Sequence, residues 1–594
     1  MQAAASDRPR LMVAAIDFGT TFSSWAYSFN NDPGRMFCKN WNSDQYISMK
    51  APTTILFQPD GKTFEAFGYE AENSYAKIGE ESEEALNSWY YYRQFKMKLY
   101  NGKITRDLEI QDEKGHTLPA IQVFTAAIRY LKDDLLKEGR QGMMDGDLKE
   151  SDVDWVITVP AIWDDPAKQF MREAAIGAGI SSERMTISLE PEAASLFCKE
   201  NRLQKRLPSW SDDVVLGAFQ PGEKYIVIDF GGGTVDITVH EVLESGDLRE
   251  LHRASGGAWG GTTIDMAFEQ RILGSIFGEE ILREFRSAFL YDYLSLFRDF
   301  EVKKRKIQPS KNSDFSKTTP DNFVIALPVI LTELLEEKTG LGLDDVIAQS
   351  KYSDQIKMIR GNKLKVESSL MAELFSDAVN NIVRHLNDLL CNSHLSHIKT
   401  ILMVGGLAES PCVQHNLKKF FPQMNIIVPP EPSLAVLKGA VLFGHKPKSI
   451  VERVSRYTYG TSITELFDHR KHPLEKFYQL EDRQICRDIF DIWVSSGDAI
   501  KCGNFSIKDV YYSSHPDDEY INVRIFASTQ KAPRFVTDDG CIMLGKANIE
   551  LNMGVPYHER KVEVEVTFGD TELHLKAREV ATGKLTRASF DLIG

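Results

Sequence analysis

The spacing of apolar residues changes character along this chain of 594 residues. Up to about residue 450, short apolar runs alternate with stretches in which apolar residues recur every three to four positions, as in residues 118–136. The runs MVAAID, from Met12, and WVITVP, from Trp155, have the length and composition of buried strands. Strands that alternate with helices predict an α/β architecture for this part of the chain.

One helix in this part has clear boundary signals. Asp164, Asp165 and Pro166 follow the WVITVP strand and are typical of a helix N-terminus. Gly177 and Gly179 are typical of its end. We therefore expect a helix between these two groups of residues.

The last part of the chain has a different period. The segments YINVRIFAS, RKVEVEVTF and TELHLKARE alternate polar and apolar residues and are separated by turn-forming residues. This period of two predicts strands with one buried face, and hence an antiparallel β domain. No long segment of helical spacing follows these strands.

These patterns divide the chain into five regions. Residues 11–200 and 224–445 are predicted to be two α/β halves. Residues 201–223 are polar, contain two prolines and are typical of a loop or insertion. Residues 446–456 are predicted to be a linker, and residues 457–594 the β domain.

One motif occurs twice, once in each half. The first copy is LMVAAIDFGTTF, from Leu11, and the second is YIVIDFGGGTVD, from Tyr225. In each copy an apolar strand ends in an aspartate, and a glycine turn leads into a second strand. Glycine leaves peptide N–H groups uncovered, and successive N–H groups form a nest for phosphate oxygens. A single copy is equally compatible with an ordinary β-hairpin, but two copies predict a cleft that holds a polyphosphate from both sides.

Other phosphate-binding motifs are absent from the sequence. There is no G-x-x-x-x-G-K-[ST] and no G-x-G-x-x-G, and the Asp-Phe-Gly at position 17 lacks the context of a protein kinase. An aspartate at a strand end is suited to hold the water shell of Mg²⁺, because this ion keeps most of its waters.

Composition narrows the classes of function. The net charge of -15 argues against a general nucleic-acid binder, which needs a basic surface. The seven cysteines form no C-x-x-C pair, so we expect neither a disulfide framework nor a zinc cluster. No signal peptide and no apolar run of membrane-spanning length is evident. We therefore expect a protein of the cytoplasm, with the nucleus as the alternative.

The two hairpins, together with VGGLAES from Val404, resemble the nucleotide motifs of the superfamily of actin, sugar kinases and 70-kDa heat-shock ATPases. The segments WVITVPAIW, LEPEAAS and ASGGAWGGTTID resemble motifs of the heat-shock branch. FKMKL, PAKQFMREAA and KGAVLFG are similar to its divergent branch, heat shock 70 kDa protein 12. The resemblance implies a two-lobed actin-like ATPase domain, made of duplicated ribonuclease-H-like halves, that binds ATP or ADP with Mg²⁺.

The resemblance also implies roles for residues at the phosphates. Asp17 and Asp229 match the carboxylates that hold Mg²⁺ through water. The phosphate-binding positions are Gly19, Thr20, Thr21, Gly231, Gly232, Gly233, Thr234, Gly260 and Gly261.

A catalytic group is implied beside them. Lys98 falls where the family places its catalytic lysine, and Lys96 is the alternative if the alignment shifts along a strand. Glu190 and Asp236 match the groups that accept a hydrogen bond from the attacking water or deprotonate it.

For the base and ribose, the resemblance points to one helix face and one glycine pair. Four residues at i, i+3, i+4 and i+7 would share this face, although a mixed-charge face is often only solvated: Glu301, Lys304, Arg305 and Gln308. Gly405 and Gly406 would let the backbone pass close to the nucleotide. Pro160 matches a proline that relays nucleotide state, but a strand terminator is an equally simple interpretation.

The sequence departs from ordinary heat-shock chaperones after residue 445. Residues 446–460 lack their acidic, leucine-rich linker, and the helical lid that follows their β domain is missing. We therefore expect a slow ATPase with chaperone-like, nucleotide-gated binding of unfolded polypeptide or a protein tail peptide, with co-chaperones as further partners. An ATP-binding adaptor with little turnover and a small-molecule kinase of the same fold are the alternatives.

Overall fold

The computed structural model describes most of the chain. The described residues are 10–42, 47–100, 102–141, 148–200, 219–309, 322–360, 362–480, 483–503, 505–513, 517–568, 570–586 and 588–593. Most of the predicted insertion, residues 201–218, lies outside the described residues.

The first α/β half is built on a six-stranded sheet. In spatial order its strands are Met185–Leu189, Val153–Val159, Met12–Phe18, Phe22–Phe29 and Asp32–Cys38, with Ala51–Pro52 paired to Phe22–Phe29. Met12–Phe18 pairs parallel with Val153–Val159 and antiparallel with Phe22–Phe29. Every residue of Met12–Phe18 is buried, which explains its continuous apolar run.

The second half repeats this arrangement. In spatial order its strands are Asn425–Ile427, Thr400–Val404, Lys224–Phe230, Val235–Val242, Leu248–Gly257, Ile450–Val454 and Ala499–Lys501. Lys224–Phe230 pairs parallel with Thr400–Val404 and antiparallel with Val235–Val242. The α/β class is confirmed, and each copy of the doubled motif forms the central antiparallel hairpin of its sheet.

Two helices cross between the sheets and join the halves. Glu190–Glu200 and Ala435–His445 approach so closely that a Cβ on Gly439 would lie 1.7 Å from the carbonyl oxygen of Ala193. Apolar side chains of both sheets pack with these helices in one buried cluster. The two halves therefore share a core at the base of the cleft between them.

The remaining helices and small sheets cover these two layers. In the first half the helices are Tyr69–Glu81, Glu83–Leu86, Ala120–Gln141 and Asp165–Gly177, and the short strands are Trp41–Asn42, Ile47–Ser48, Thr54–Phe57, Phe64–Phe67, Tyr90–Arg93, Glu109–Gln111 and Thr117–Pro119. In the second half the helices are Gly261–Ala267, Gly274–Ala288, Leu290–Lys304, Val329–Thr339, Leu343–Gln349, Ser368–Glu373, Ser376–Leu390 and Pro411–Phe420, and the short strands are Asn322–Ala326, Ile356–Ile359 and Lys363–Glu367. The helix predicted after the WVITVP strand is confirmed as Asp165–Gly177, with the Asp164 side chain accepting a hydrogen bond from the Ala167 amide.

Two further sheets form the last part of the chain. One has the spatial order Phe477–Leu480, Arg483–Val494, Thr458–Leu466, Tyr520–Ser528, Cys541–Glu550 and Ala588–Asp591. The other has the order Phe505–Tyr512, Lys561–Phe568, His574–Glu579 and Leu585–Thr586. Alternate residues of Lys561–Phe568 are buried, as the period of two predicts. Among the described residues after Ile450, helical structure is limited to the 3₁₀ turns Leu474–Lys476 and Tyr557–Glu559.

Residues 446–456, predicted to be a linker, instead contain a strand of the second sheet. Ile450–Val454 is a strand of the second sheet, parallel to Leu248–Gly257 and antiparallel to Ala499–Lys501. Its Arg453 makes a buried two-point ion pair with Glu192, at 2.7 and 2.8 Å. Arg453, a charged residue of this segment, therefore has its partner inside the fold.

A helix that crosses a bilayer needs about 20 mostly apolar residues. Within the described ranges, no helix combines the length and the apolar character needed to span a membrane.

Candidate functional site

The two glycine hairpins lie on opposite sides of a cavity of about 520 Å³ between the halves. Most of the residues implied by the resemblance line this cavity: Asp17, Gly19, Thr20, Thr21, Glu190, Asp229, Gly231, Gly232, Gly233, Thr234, Gly261, Glu301, Lys304, Arg305, Gly405 and Gly406. The structure thus brings these distant segments of the sequence together. Five implied residues are not among the lining residues: Lys98, Asp236, Gly260, Gln308 and Pro160.

The tips of the two hairpins touch each other. A Cβ on Gly232 would lie 2.2 Å from Thr21 Oγ1, and one on Gly233 would lie 2.8 Å from Thr20 Oγ1. Since real Cβ atoms do not approach so closely, glycine is required for this contact. The backbone amides of the second hairpin can therefore approach a ligand held by the threonines of the first.

A second glycine turn braces the second hairpin from behind. The amides of Gly260, Gly261 and Thr262 donate to the carbonyls of residues 231–233, at 2.8 to 3.2 Å. An amide that donates to a carbonyl is not available to a phosphate. The amides of Gly260 and Gly261, both predicted to bind the nucleotide, therefore support the phosphate-binding turn instead, and of the two only Gly261 lines the cavity.

The strand-end aspartates differ in their surroundings. Asp17 accepts hydrogen bonds from Lys50 Nζ at 2.5 Å and from Thr158 Oγ1 at 2.9 Å. No donor from the described part of the chain bonds the Asp229 carboxylate, which lies against Gly405. Gly405 has a φ of 87°, and a Cβ there would lie 2.4 Å from Asp229 Oδ1, so glycine is needed at this position.

The lysine of the cleft is Lys96. It lies in the 3₁₀ helix Phe95–Leu99, is buried, and donates to Glu190 Oε1 at 2.7 Å. Lys98 is exposed and lies outside the cleft lining. The structure therefore brings the alternative, Lys96, and not Lys98 to the cleft, because residues two apart in a 3₁₀ helix point in different directions.

Burial raises the pKa values of two carboxylates of the cleft, Glu190 and Asp229. It raises the pKa of Glu190 to about 7, although Lys96 opposes this shift. Burial also raises the pKa of Asp229 well above its usual range, and three neighbouring carboxylates raise it further. A cation bound near Asp229 would keep that carboxylate ionised at neutral pH.

Asp236 lies behind the hairpin rather than in the cavity lining. It pairs across the hairpin with Asp229 and is buried. Its Oδ1 accepts a hydrogen bond from the Ile162 amide at 2.9 Å, in the loop that follows Pro160. Burial raises the pKa of Asp236, while this amide and the Thr234 hydroxyl lower it. Asp236 is therefore placed to connect the hairpin to the Pro160 loop, and direct contact with the attacking water is not supported.

The base end of the cleft is built on the end of one helix. Leu290–Lys304 ends at Lys304, so Gln308 leaves the helix face and the cavity lining. Lys304 is buried and bonds Asp265 at 2.8 and 2.9 Å and also Glu301. The Arg305 guanidinium lies 5.2 Å from the centre of the Phe22 ring. Of the four residues predicted to share one face, Glu301, Lys304 and Arg305 line the cavity and Gln308 does not.

Comparison with known proteins agrees with this geometry. A sequence profile described as "Hsp70 protein" matches residues 91–280. Heat shock 70 kDa protein 12A of Mus musculus is 34% identical, over 98% of this chain and 92% of that protein. This chain belongs to the 70-kDa heat-shock protein family. Heat shock 70 kDa protein 12B of Homo sapiens is 32% identical over 98% and 91%, respectively, which supports the same branch. Chaperone protein DnaK of Thermotoga maritima is 25% identical over 59% of this chain and 49% of that protein.

Sequence reasoning missed several lining residues of this heat-shock family member. They are Phe22, Ser48, Met49, Lys50, Tyr69, Val302, Lys306, Leu407, Glu409, Ser433, Leu434 and Val436. Leu407 and Glu409 lie within the VGGLAES motif, so that motif could have indicated them. Lys50 belongs to no motif, and only the pairing of Ala51–Pro52 with the first hairpin brings it to the cleft.

The residues present fit a magnesium ion that is held mainly by water and phosphate oxygens. Among the described residues, no group of three His, Cys, Asp or Glu side chains could hold a metal directly. Mg²⁺ in nucleotide sites commonly uses one or two carboxylates and keeps several waters. Asp229 is buried at the cavity wall and receives no hydrogen bond from the residues that the structure describes, so it fits this role. Asp17 fits it only where Lys50 is displaced.

Proposed function

We propose that this chain binds ATP with Mg²⁺ in the cleft, hydrolyses it slowly, and uses its nucleotide state to gate polypeptide binding by the C-terminal sheets. The observation that carries the proposal is the pair of facing glycine hairpins, whose tips touch and which line one cavity with the buried Lys96–Glu190 pair. This arrangement places peptide amides, hydroxyls, an ammonium and a carboxylate base around one polyphosphate-sized cavity.

Each group would have a simple task in hydrolysis. The amides of residues 231–233 and the hydroxyls of Thr20 and Thr21 would hold phosphate oxygens. Lys96 would neutralise charge that develops on the terminal phosphate. Glu190, with its pKa near 7, would take the proton of the attacking water. Bound Mg²⁺ would supply further charge neutralisation at the phosphates.

Contacts between the ATPase halves and the C-terminal sheets support gating. The Ile162 amide donates to Asp236 behind the hairpin, and the Ile162 carbonyl accepts a hydrogen bond from Arg456. Nearby, Tyr459 OH donates to Asp165 Oδ2 at 2.7 Å, and both groups are buried. These bonds connect the phosphate-binding hairpin to the first strand of the C-terminal sheets.

The proposal includes partners and location. Unfolded polypeptide or a protein tail peptide would bind the C-terminal sheets, without a helical lid, and co-chaperones would be further partners. The net charge of -15 argues against general nucleic-acid binding. We place the protein in the cytoplasm, with the nucleus as the alternative.

An ATP-binding adaptor with little turnover is the second candidate. The observation that favours it is the occupation of both Asp17 oxygens by Lys50 and Thr158, because this leaves Asp17 less available to metal-bound water. The two candidates predict the same binding but different rates.

The deciding experiment measures ATP affinity and ATP turnover of the full chain with Mg²⁺. Calorimetric titration gives the affinity, and release of inorganic phosphate gives the rate. Binding with turnover above background supports the ATPase, and binding with turnover at background supports the adaptor. Failure of the wild-type chain to bind ATP would contradict both.

A further inference from the structure

A second lysine lies at the phosphate end of the cavity, outside every motif described above. Lys50 lines the cavity together with residues 231–234 of the second hairpin. Its Nζ lies 2.5 Å from Asp17 Oδ2, and its side chain is 19% exposed. A lysine in such a position differs from ordinary surface lysines, which are mostly exposed.

The backbone around Lys50 is firmly attached to the first hairpin. The Lys50 amide donates a hydrogen bond to Ser48 Oγ at 3.2 Å. The Ser48 hydroxyl in turn donates to the Lys50 carbonyl at 2.7 Å. The next residues pair with the hairpin strand, Ala51 with Ser23. Thr53 then donates its hydroxyl to the Gly19 carbonyl at 2.8 Å. The position of the Lys50 backbone, from which the side chain reaches into the cavity, is therefore set relative to the phosphate-binding turn.

The carboxylates at the phosphate end make the cavity negatively charged, so a movable cation there would favour the binding of a triphosphate. Three carboxylates line the phosphate end of the cavity. Asp17 is paired with Lys50 and Glu190 with Lys96, whereas no lysine of the described residues forms an ion pair with Asp229. Lys50 also acts on Asp229, because it opposes the rise in the pKa of that carboxylate. A triphosphate that entered this site without a metal would be repelled by the carboxylates.

The Lys50 side chain is freer than that of Lys96 to move towards the phosphates of a bound nucleotide. Lys96 is 2% exposed and packs over the Trp163 ring, with 5.2 Å from Nζ to the ring centre. Lys50 keeps a solvent-facing part and reaches Asp17 along the cavity wall. If its ammonium moved to a phosphate oxygen, Asp17 would retain the hydrogen bond from Thr158.

We propose that Lys50 is a phosphate-binding residue, whose ammonium passes from Asp17 to the triphosphate and allows nucleotide to bind without Mg²⁺. The inference rests on the proposed ATP binding at the same site. A hydrogen bond between charged groups in a partly buried site accounts for about a 10-fold to 100-fold change in affinity. The contribution of Lys50 is largest without Mg²⁺, because the metal otherwise neutralises the same phosphate charge.

The test titrates ATP into the full-length wild-type chain and into Lys50→Gln, once with EDTA and once with Mg²⁺. We expect Lys50→Gln to bind ATP at least 10-fold more weakly in EDTA and less than about 3-fold more weakly with Mg²⁺. Lys103→Gln, at an exposed lysine outside the cavity lining, is the matched control and should equal wild type. Lys50→Arg should keep most of the affinity, since it preserves the charge.

The outcomes separate this inference from the function on which it rests. Absence of ATP binding by wild type in both buffers would overturn the proposed function. Wild-type binding with Mg²⁺ but none in EDTA, or equal affinities of wild type and Lys50→Gln in EDTA, would overturn the role of Lys50. Should Lys50→Gln fail to fold in thermal unfolding, Asp17→Asn replaces it. That change releases Lys50 and should tighten ATP binding in EDTA, whereas unchanged or weaker binding would overturn the inference.

Discussion

The two hairpins at the cleft have nearly the same sequence and the same place in their sheets, yet they lie in different electrostatic surroundings. In the first hairpin, Lys50 and Thr158 occupy the Asp17 carboxylate. In the second, Asp229 lies against Gly405, and burial raises its pKa. The comparison teaches that a repeated motif can keep its backbone geometry while residues far away in the sequence change its chemistry.

The two hairpins also differ in their turns. The first has a single glycine followed by Thr20 and Thr21, and the second has three glycines before Thr234. The structure explains the asymmetry, because the glycines of the second turn make room for the threonines of the first. Hydroxyls from one side and bare amides from the other then share one ligand.

The strongest test of this comparison replaces each strand-end aspartate, in separate variants, with asparagine. Asp229→Asn should lower single-turnover ATP hydrolysis about 1000-fold, because it removes the carboxylate that fits the metal-bound water. Asp17→Asn should lower it only about 10-fold, since Lys50 already pairs with that group. Phosphate release by the two variants measures both effects. Equal losses would contradict the assignment of different roles to the two hairpins.

The second test concerns the lysine beside the hairpins. Lys96→Met should lower hydrolysis about 100-fold while ATP binding changes little, because its charge acts mainly on the developing phosphate. Lys98→Met is the matched control, since Lys98 is exposed and should have no effect on either measurement. Loss of hydrolysis in Lys98→Met with none in Lys96→Met would restore the original prediction from the sequence.

The third test pushes the hairpin tips apart. Gly232→Ala should weaken ATP binding about 10-fold, because its Cβ would meet the Thr21 side chain at 2.2 to 2.9 Å. Adding Thr21→Ala removes the two closest contacts and should recover part of the affinity. Gly34→Ala is the control, because a Cβ there would meet open space. Titration calorimetry measures all four chains, and full affinity of Gly232→Ala would show that the tips need not touch.

The smallest expected effect is on the pH profile. Since Glu190 acts as a base only when ionised and its pKa is raised to about 7, kcat/KM should rise several-fold as pH increases from 6 to 8. Glu190→Gln should give a low rate that is independent of pH over this range. Steady-state assays at constant ionic strength measure the profile, and a flat profile for wild type would argue against Glu190 as the base.

Much of the fold was predictable from local patterns. The helix Asp165–Gly177 follows from an N-terminal aspartate and proline and a C-terminal glycine. The strands Met12–Phe18 and Lys561–Phe568 follow from a continuous apolar run and from a period of two, respectively. These signals are local because strand and helix periods depend only on the backbone geometry of successive residues.

The errors have a common physical origin. Lys98 was preferred to Lys96 because it matches the position of the family's catalytic lysine, but the chain forms a 3₁₀ helix there and, of the two, Lys96 lines the cleft. Gln308 was placed on a helix that ends at Lys304. Residues 446–456 were predicted to be a linker, although Ile450–Val454 is a strand whose Arg453 is buried with Glu192. A correct prediction in each case required knowing where an element ends or which distant residues it contacts. The spacing of residues alone gives neither.

The sequence by itself determined the doubled strand–glycine–strand motif, the α/β class and the change to a period of two after residue 457. Only the tertiary structure decided that the hairpin tips touch, that Gly260 supports the turn, and that Lys50 reaches Asp17. Backbone conformation is governed by neighbouring residues, whereas charge pairing depends on which distant segments the fold brings within a few ångströms.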